Sequence, residues 1–575
     1  NEGSRRLEGG TFAFNGRFTQ GYNATGQTIA STGLPFADFL LGRLNNAQVE
    51  VTPGIGLRIH HYAGYLQNDW QATPGLTLNL GLRYETETPV YEVGNRWQGF
   101  CQFCPSTLRG EGGIPADAVG TVTFSGRHGR GRYLTRWDKN NFAPRFGFAW
   151  RVPGTRDTVL RGGYGVFYGN PYDGAFVQRT VLGLSWSYNA SHPVPFSFSQ
   201  GLPPGSIGPV PESELTPSFG FRGTRFATST IRFHDEARVT QYSHSINLNL
   251  QKGFKGWFFE VGVISTLGRQ APYHMANINQ IRVEDFPKLA QGVPELTLRP
   301  WQQFTGSAPT ISVDNPNWGI SNAWLGTFRA ERRYKNGLGV TVAYTYTAWI
   351  DNIPNVSDTS SGDNDDLQDY YNRAGERSRS NMTIPHRLVL APIWDLPFGR
   401  ARHWGRHWHP VLNAVAGGWQ VATIGTLRAG SPFGVDVLNG ARTLLLDSSG
   451  RPLRPNLVSS DLLSPRKGQP LSGGNRGLEW LNPAAFAAPA PFTLGNASRT
   501  LPGVYGPGSR LFDLMVAKNF PLREHWRAQF RWEMFNFTNT PAFGLPAQTV
   551  GTGEFGWVTS AGARRIMQLG MKLYW

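Results

Sequence analysis

The sequence predicts an all-β protein, a large antiparallel β-barrel that crosses a membrane with its strands. Three observations predict it. Stretches of about ten residues alternate apolar and polar side chains, as a lipid-facing, water-lined wall requires. Short turns rich in Gly, Pro, Asn and Asp alternate with long connections rich in Gly, Pro and Ser. The chain also stops inside its last alternating stretch, on the aromatic Trp575.

The C-terminal stretch comes first. Met567, Leu569, Met571, Leu573 and Trp575 fall at every second position, interleaved with Gln568, Gly570, Lys572 and Tyr574. Period two gives a strand one apolar and one polar face. Gln568, Gly570, Leu573 and Trp575 follow a polar-x-Gly-x-x-apolar-x-aromatic order. That order resembles the terminal signal read by the barrel-assembly machinery. The competing reading is the closing strand of a soluble β-protein.

The internal strands repeat the pattern. Leu76, Leu78, Leu80, Leu82 and Tyr84 oppose Thr77, Asn79, Gly81, Arg83 and Glu85. Phe142, Phe146, Phe148 and Trp150 oppose Asn141, Arg145, Gly147 and Arg151. Leu338, Val340, Val342, Tyr344 and Tyr346 oppose Gly339, Thr341, Ala343 and Thr345. Trp526, Ala528, Phe530, Trp532 and Met534 oppose Arg527, Gln529, Arg531 and Glu533. A β-sandwich alternates too, but its strands average about five or six residues.

The connections separate those two readings. Hairpin turns are expected at Thr73-Pro74, Pro153–Asp157, Gly253, Tyr334–Asn336 and Pro521-Leu522. Between the hairpins lie long segments at 87–139, 169–237, 267–317, 351–381, 431–508 and 538–561. Short turns on one side and long loops on the other mark the periplasmic and extracellular ends of an outer-membrane barrel. Two periplasmic connections, 19–42 and 397–414, are longer, and Phe36–Gly42 could make one helical turn. About fifteen strands are expected, or sixteen with one hidden in a loop. Closed bacterial barrels take an even number. The domain expectation is therefore a single barrel over 1–575, incomplete at its N-terminal side.

Composition agrees. The chain has 575 residues, 16% of them charged, against about 25% in ordinary soluble domains. No stretch approaches the 18 apolar residues of a membrane-spanning helix. The formal net charge of +16 is mostly Arg, scattered along the chain. A nucleic-acid binder would gather that charge on one helix or stripe. Arg instead suits phosphorylated lipid and lipopolysaccharide of the outer leaflet, since its planar fork matches phosphate.

Several blocks carry a family resemblance. They include Phe36-Ala-Asp-Phe-Leu-Leu-Gly42, Tyr65-Leu-Gln-Asn-Asp-Trp70 and Leu76-Thr-Leu-Asn-Leu-Gly-Leu-Arg-Tyr-Glu85. Pro385-His-Arg387, Leu396-Pro-Phe-Gly399, Leu481-Asn-Pro-Ala-Ala-Phe486 and Gly506-Pro-Gly508 follow. Phe530–Asn539 and Ala563-Arg-Arg-Ile-Met-Gln568 complete the series. In this order they resemble the barrel part of TonB-dependent receptors of the Oar-like, carboxypeptidase-regulatory-like-domain-bearing type found in acidobacteria. The resemblance implies a 22-stranded barrel in the bacterial outer membrane. It also implies an internal plug and import of a bulky ligand, such as an oligosaccharide, peptide or metal chelate. The TonB–ExbB–ExbD complex would supply the energy through an N-terminal part that this chain does not show. No enzyme and no cofactor are implied. The alternatives are a plugless porin, a surface structural or adhesive protein, and a secreted all-β glycan-binding protein or hydrolase. The last would turn Leu76–Leu82 and Leu569–Leu573 toward a protein core.

Candidate sites are few. Cys101 and Cys104 form the only cysteine pair and, in an extracellular loop, are expected as a disulfide. Asp358, Asp363, Asp365, Asp366 and Asp369 crowd one loop; they could hold Ca²⁺, but a solvated acidic loop is the simpler expectation. His403, His407 and His409 lie among Trp404, Trp408 and several Arg, a composition typical of a membrane interface. Gly126–Gly131 lacks the strand-to-helix context of a phosphate loop, and neither Gly-x-Ser-x-Gly nor His-Glu-x-x-His occurs. Arg83, Arg145, Arg161, Arg527 and Arg531, with Glu85 and Glu533, fall on the lumen side and are expected to pair mostly with plug carboxylates. The loop aromatics Trp186, Tyr188, Trp301 and Trp318 are the candidate ligand platforms; packing of the loops against one another is the alternative.

Overall fold

The computed structural model describes residues 10–29, 32–50, 56–95, 97–133, 135–169, 183–189, 201–202, 208–225, 227–228, 230–273, 275–306, 308–314, 316–353, 367–400, 402–438, 452–472, 476–523, 526–562 and 564–575. Its main sheet has 14 strands. All but one are long and follow one another in chain order as an antiparallel meander. They are β1 (His61–Thr73), β2 (Leu76–Glu87), β3 (Phe142–Arg151), β4 (Thr158–Tyr168), β5 (Tyr242–Phe254), β6 (Trp257–Ala271) and β7 (Gly319–Lys335). They continue with β8 (Leu338–Asp351), β9 (His386–Asp395), β10 (Trp419–Arg428), β11 (Ser509–Arg523), β12 (Trp526–Phe535) and β13 (Ile566–Tyr574). The exception, Ser378–Arg379, pairs with the end of β8.

Several hairpin turns differ from the sequence expectation by a residue or two. Gly253 lies inside β5, and the chain reverses at Lys255-Gly256, with φ of 48° and 83°. Asn336-Gly337, at 55° and 79°, reverses β7 into β8. Two successive positive φ values make the type I′ turn that matches strand twist, and Gly takes the second at no steric cost. Pro521 and Leu522 also lie within β11, Pro521 facing Arg527.

The register sorts side chains into two faces. On the first, Leu80, Phe146, Tyr164, Ile246, Ser265, Trp324 and Ala348 succeed one another across β2 to β8. On the second, the same ladders align Gly81, Arg145, Gly165, Ser245 and Thr266. The first face is open: Leu248 is 49% exposed, Val263 51% and Met571 78%. Each large apolar side chain left in water forfeits about 1.5–3 kcal/mol of burial. A face built this way across a whole sheet is a lipid face. It excludes the reading in which these rows fill a protein core. Charge is sorted the same way. Asp69, Glu85, Glu87, Glu260, Glu331, Asp351, Asp395, Asp513 and Glu533 all occupy the second, inward rows, and no Asp or Glu of these strands is outward.

Among the described residues, the expected strand count of about fifteen is not reached in this wall. Thr11–Ala13 and Asn46–Glu50 pair with each other and with Gly183–Asn189 in a separate four-stranded sheet. With three and five residues, they are shorter than the nine to eleven, roughly, that a spanning strand needs. Helix α1 (Pro35–Leu40) forms where one helical turn was expected. Two other short helices, α2 (Phe286–Ala290) and α3 (Pro410–Ala416), lie in a long connection and in the 396–418 turn.

The described parts of the long connections fold into packed lobes. Phe100, Phe124, Phe221, Ile231, Phe233, Trp301, Phe304 and Val313 form one core shared by three connections. It includes a parallel pairing of Thr230–His234 with Thr310–Asp314. Phe433, Leu481, Phe486, Leu501, Phe555 and Val558 form a second core, from 429–508 and 536–565. Buried ion pairs anchor this second lobe: Arg499 meets Asp351 at the end of β8, and Arg454 meets Glu376 in the connection between β8 and β9.

Candidate functional site

Strand alternation delivers a set of side chains to the inward face where β9, β10, β11, β12 and β13 meet the second lobe. Arg387 is the second residue of β9 and Arg428 the last of β10, and they face each other directly in the ladder. Asp513 on β11 faces Ile424. Arg564 precedes β13. Together they line a cavity of about 690 Å³ with Thr426, Ser509, Asn536 and the apolar Ile384, Ile424, Leu511, Phe535, Phe543 and Ile566. Like charges directly opposite in a ladder repel. Among the described residues, no carboxylate ion-pairs with Arg387, Arg428 or Arg564. Asp513 is held in place by accepting the Asn536 backbone N–H at 2.8 Å. A second cavity of about 460 Å³ shares Arg428, Pro507 and Phe543 and runs up to Ser431, Phe433 and Leu545 of the lobe. The arrangement is an apolar wall with a cluster of guanidinium forks, which suits an anionic group carried on an apolar body.

Elsewhere the inward face balances its own charge. Arg83 pairs with Glu85 at 2.7 Å, Arg329 with Glu331 at 2.5 Å and Arg531 with Glu533 at 3.5 Å. Arg145 stands over the Phe167 ring at 4.7 Å and Arg527 over Tyr574 at 4.4 Å. Of the lumen arginines singled out in the sequence, Arg83 and Arg531 thus have carboxylate partners within the wall itself. Residues two apart on a strand share a face, so Arg-x-Glu is self-satisfying. Arg161 keeps its expected inward position, facing Asn249.

The expected platforms fare differently. Trp301 is 8% exposed and meets Phe100 edge-on at 5.5 Å, inside the first core. It offers no face to a ligand, because burying an indole in the lobe gains more than displaying it. Trp318 packs beside Tyr273 and Tyr370, and Arg373 covers its ring at 4.2 Å. Trp186 and Tyr188 lie on the strand Gly183–Asn189, and their side chains are outside the described residues. Cys101 and Cys104 are joined, with Cα atoms 5.5 Å apart, across an irregularity in the strand Gln98–Pro105. Asp358, Asp363, Asp365 and Asp366 fall outside the described residues, and Asp369 caps a 3₁₀ helix by accepting the Tyr371 N–H. His409 caps α3, and His403 lies against Trp404; among the described residues no cluster of metal ligands forms. Gln568 donates to Glu533 at 2.5 Å, Gly570 faces Arg531 and Leu573 faces Ala528. Trp575 is 83% exposed, its ring 6.5 Å from Trp526.

Charge also ties the lobe connections together. Arg127 and Glu212 form a two-pronged clamp at 2.7 and 3.3 Å. That hydrogen bond raises the guanidinium pKa and holds the Glu212 carboxyl below its ordinary range. Burial lowers the Arg130 pKa against the opposing pull of Glu236.

The sequence did not single out Arg387, Arg428, Asp513 or Arg564. Arg387 was visible only as part of Pro385-His-Arg387, and its inward phase follows from the alternation of Leu388, Leu390 and Trp394.

A family model described as an outer membrane beta barrel domain matches residues 1–568. None of the curated proteins compared with the chain matches it. Among solved structures, the siderophore receptor PiuA from Acinetobacter baumannii is 9% identical, with a TM-score of 0.39, covering 98% of this chain and 50% of that one. The outer membrane transporter YddB from Escherichia coli is 10% identical, with a TM-score of 0.38, covering 92% and 55%. The ferric-catecholate import receptor Fiu from E. coli K12 is 10% identical, with a TM-score of 0.39, covering 97% and 50%. The chain thus spans about half the length of the structures it resembles.

Proposed function

The chain belongs to the outer membrane β-barrel domain family, and from that premise we propose that it is the barrel wall of a TonB-dependent receptor that takes up a bulky, anion-bearing ligand. It resides in the bacterial outer membrane. The observation that carries the reading is the inward cavity of about 690 Å³ with Arg387, Arg428 and Arg564 on an apolar wall. It stands at the extracellular end of the lumen, where a ligand leaving the lobes would arrive. Among the described residues, β1 and β13 are each paired on one edge only. Lipid cannot solvate a bare backbone edge. On this proposal, further strands of the longer receptor complete the ring, and a plug fills it and meets TonB. The Oar-like motifs support this branch of the family, with oligosaccharides, peptides and metal chelates as the candidate ligand classes.

The test is uptake in cells carrying the full receptor. A panel of fluorescent anionic oligosaccharides, acidic peptides and metal chelates is offered with and without TonB. At least one is expected to enter only when TonB is present, and uptake should fall at least tenfold in Arg387→Ala/Arg428→Ala. TonB-independent entry, with steady ion conductance in planar bilayers, would instead establish the plugless porin.

A further inference from the structure

The outward face carries a second charge pattern that transport does not use. Its rows hold no carboxylate, and their cations cluster near the two ends of the strands. Lys252 and Arg332 stand toward the short-turn end, and His244, Arg269, His386 and Arg510 toward the long-connection end; Lys518, on the same face, is buried and donates to the Gly417 carbonyl. Cations confined to the two headgroup levels, above and below an apolar band, match a bilayer with anionic headgroups.

At the long-connection end this pattern closes into a pocket. Leu388 faces Tyr344 and Leu427, and Arg510 faces Leu427 from β11. Tyr344, His386, Leu388, Leu427 and Arg510 border a cleft of about 390 Å³, with Arg428 and Ser509, which also line the inward cavity, at its rim. The floor is aliphatic and the upper rim is basic. The His386 ring is positioned by the Tyr344 hydroxyl, 2.8 Å from Nδ1. His386 and Arg510 are exposed, and among the described residues no carboxylate ion-pairs with Arg510. Below Leu388 and Leu427 the outward row continues with Leu390 and Gly425. A free anion would have no use for that aliphatic floor.

We propose that this cleft seats the phosphorylated headgroup of an outer-leaflet glycolipid, with phosphate on Arg510 and His386 and an acyl chain along Leu388 and Leu427. Arg supplies two parallel N–H donors to phosphate oxygens, and the aliphatic floor holds the chain where lipid already lies. Arg510 and His386 lie on the outward rows, away from the lumen.

The experiment reconstitutes the full receptor into vesicles of phosphatidylethanolamine with bisphosphorylated lipid A, or with lipid A stripped of its phosphates. Lipid retained through mild detergent extraction is counted by native mass spectrometry. Wild type is expected to keep the phosphorylated lipid at least tenfold better than the stripped one. Arg510→Glu should lose that preference, Arg510→Lys should keep part of it, and heat-modifiable gel migration should show all of them folded. Equal retention of both lipids, or undiminished preference in folded Arg510→Glu, would overturn the proposal. Displacement of the lipid by millimolar inorganic phosphate would overturn it too, by showing a site for free anions.

Discussion

Replacing Arg499 by Met should release the second lobe from the wall. The Arg499 guanidinium donates to the Asp351 carboxylate, to the Asp351 carbonyl at 3.2 Å and to the Glu376 carbonyl at 3.1 Å. The Asp351 side chain is 0% exposed, and its second carboxylate oxygen has no hydrogen-bond partner among the described residues. The substitution therefore leaves a buried carboxylate with no counter-charge. Removing one partner of a buried pair costs about 3–5 kcal/mol, most of it the stranded charge. At about 1.4 kcal/mol per factor of ten, local opening of the lobe should rise by roughly two to more than three powers of ten. Hydrogen exchange of the Leu501 amide, which donates to the Phe433 carbonyl at 2.9 Å across the second core, reads that opening. Strand amides of β5 and β6 should not change. The double variant Arg499→Met/Asp351→Leu removes both charges and should return most of the protection. Exchange at Leu501 within tenfold of wild type in the single variant, or a double variant as labile as the single, would refute this reasoning.

Other consequences follow from the same structure. Leu248→Arg, mid-strand on the outward face, should cost about 2–4 kcal/mol of unfolding stability in vesicles; Gln67→Arg, on an inward row, should cost much less, and equal costs would contradict the assignment of faces. Trp575→Asp adds a charge at the rim, about 0–1 kcal/mol near the interface, so it should lower insertion yield without unfolding the inserted protein; normal surface levels would count against the terminal-signal reading. The Arg127–Glu212 clamp should loosen in acid. Its carboxyl pKa is depressed by the Arg127 hydrogen bond, so the stabilisation is complete above the unfolded value near about 4.3 and is lost as pH falls through the lower folded value. Spin-label distances between positions 117 and 213 should broaden there, and Glu212→Gln should be insensitive to pH; unchanged distances down to pH 3 would exclude the clamp.

The wall was legible because it obeys one local rule. Strand phase alone places Leu80 outward and Arg83 inward, and the observed strands fall within a few residues of the expected ones. Arg83-x-Glu85 and Arg531-x-Glu533 could have been read as self-pairing from their spacing, since residues two apart share a face. The lobes were not legible. Their cores join residues from different connections, such as Phe100 with Trp301 and Phe433 with Leu501. Such contacts leave no period in the sequence. The buried pair Arg499–Asp351 spans 148 positions, and nothing local announces it. The Arg387, Arg428 and Arg564 cluster was half visible. The inward phase of Arg387 and Arg428 follows from their strands, but Arg564 lies ahead of β13, and their meeting depends on the order in which β9, β10 and β13 are laid into the sheet.

The central claim is that the apolar rows of this sheet face lipid and the polar rows face a lumen. A spin-label scan of single Cys variants along Ile246–Gln251 of β5, in vesicles, tests it most directly. Accessibility to oxygen, which partitions into lipid, should peak at 246, 248 and 250. Accessibility to a water-soluble nickel chelate should peak at 245, 247, 249 and 251. The account predicts two curves out of phase with period two, and curves in phase, or without that period, would contradict it.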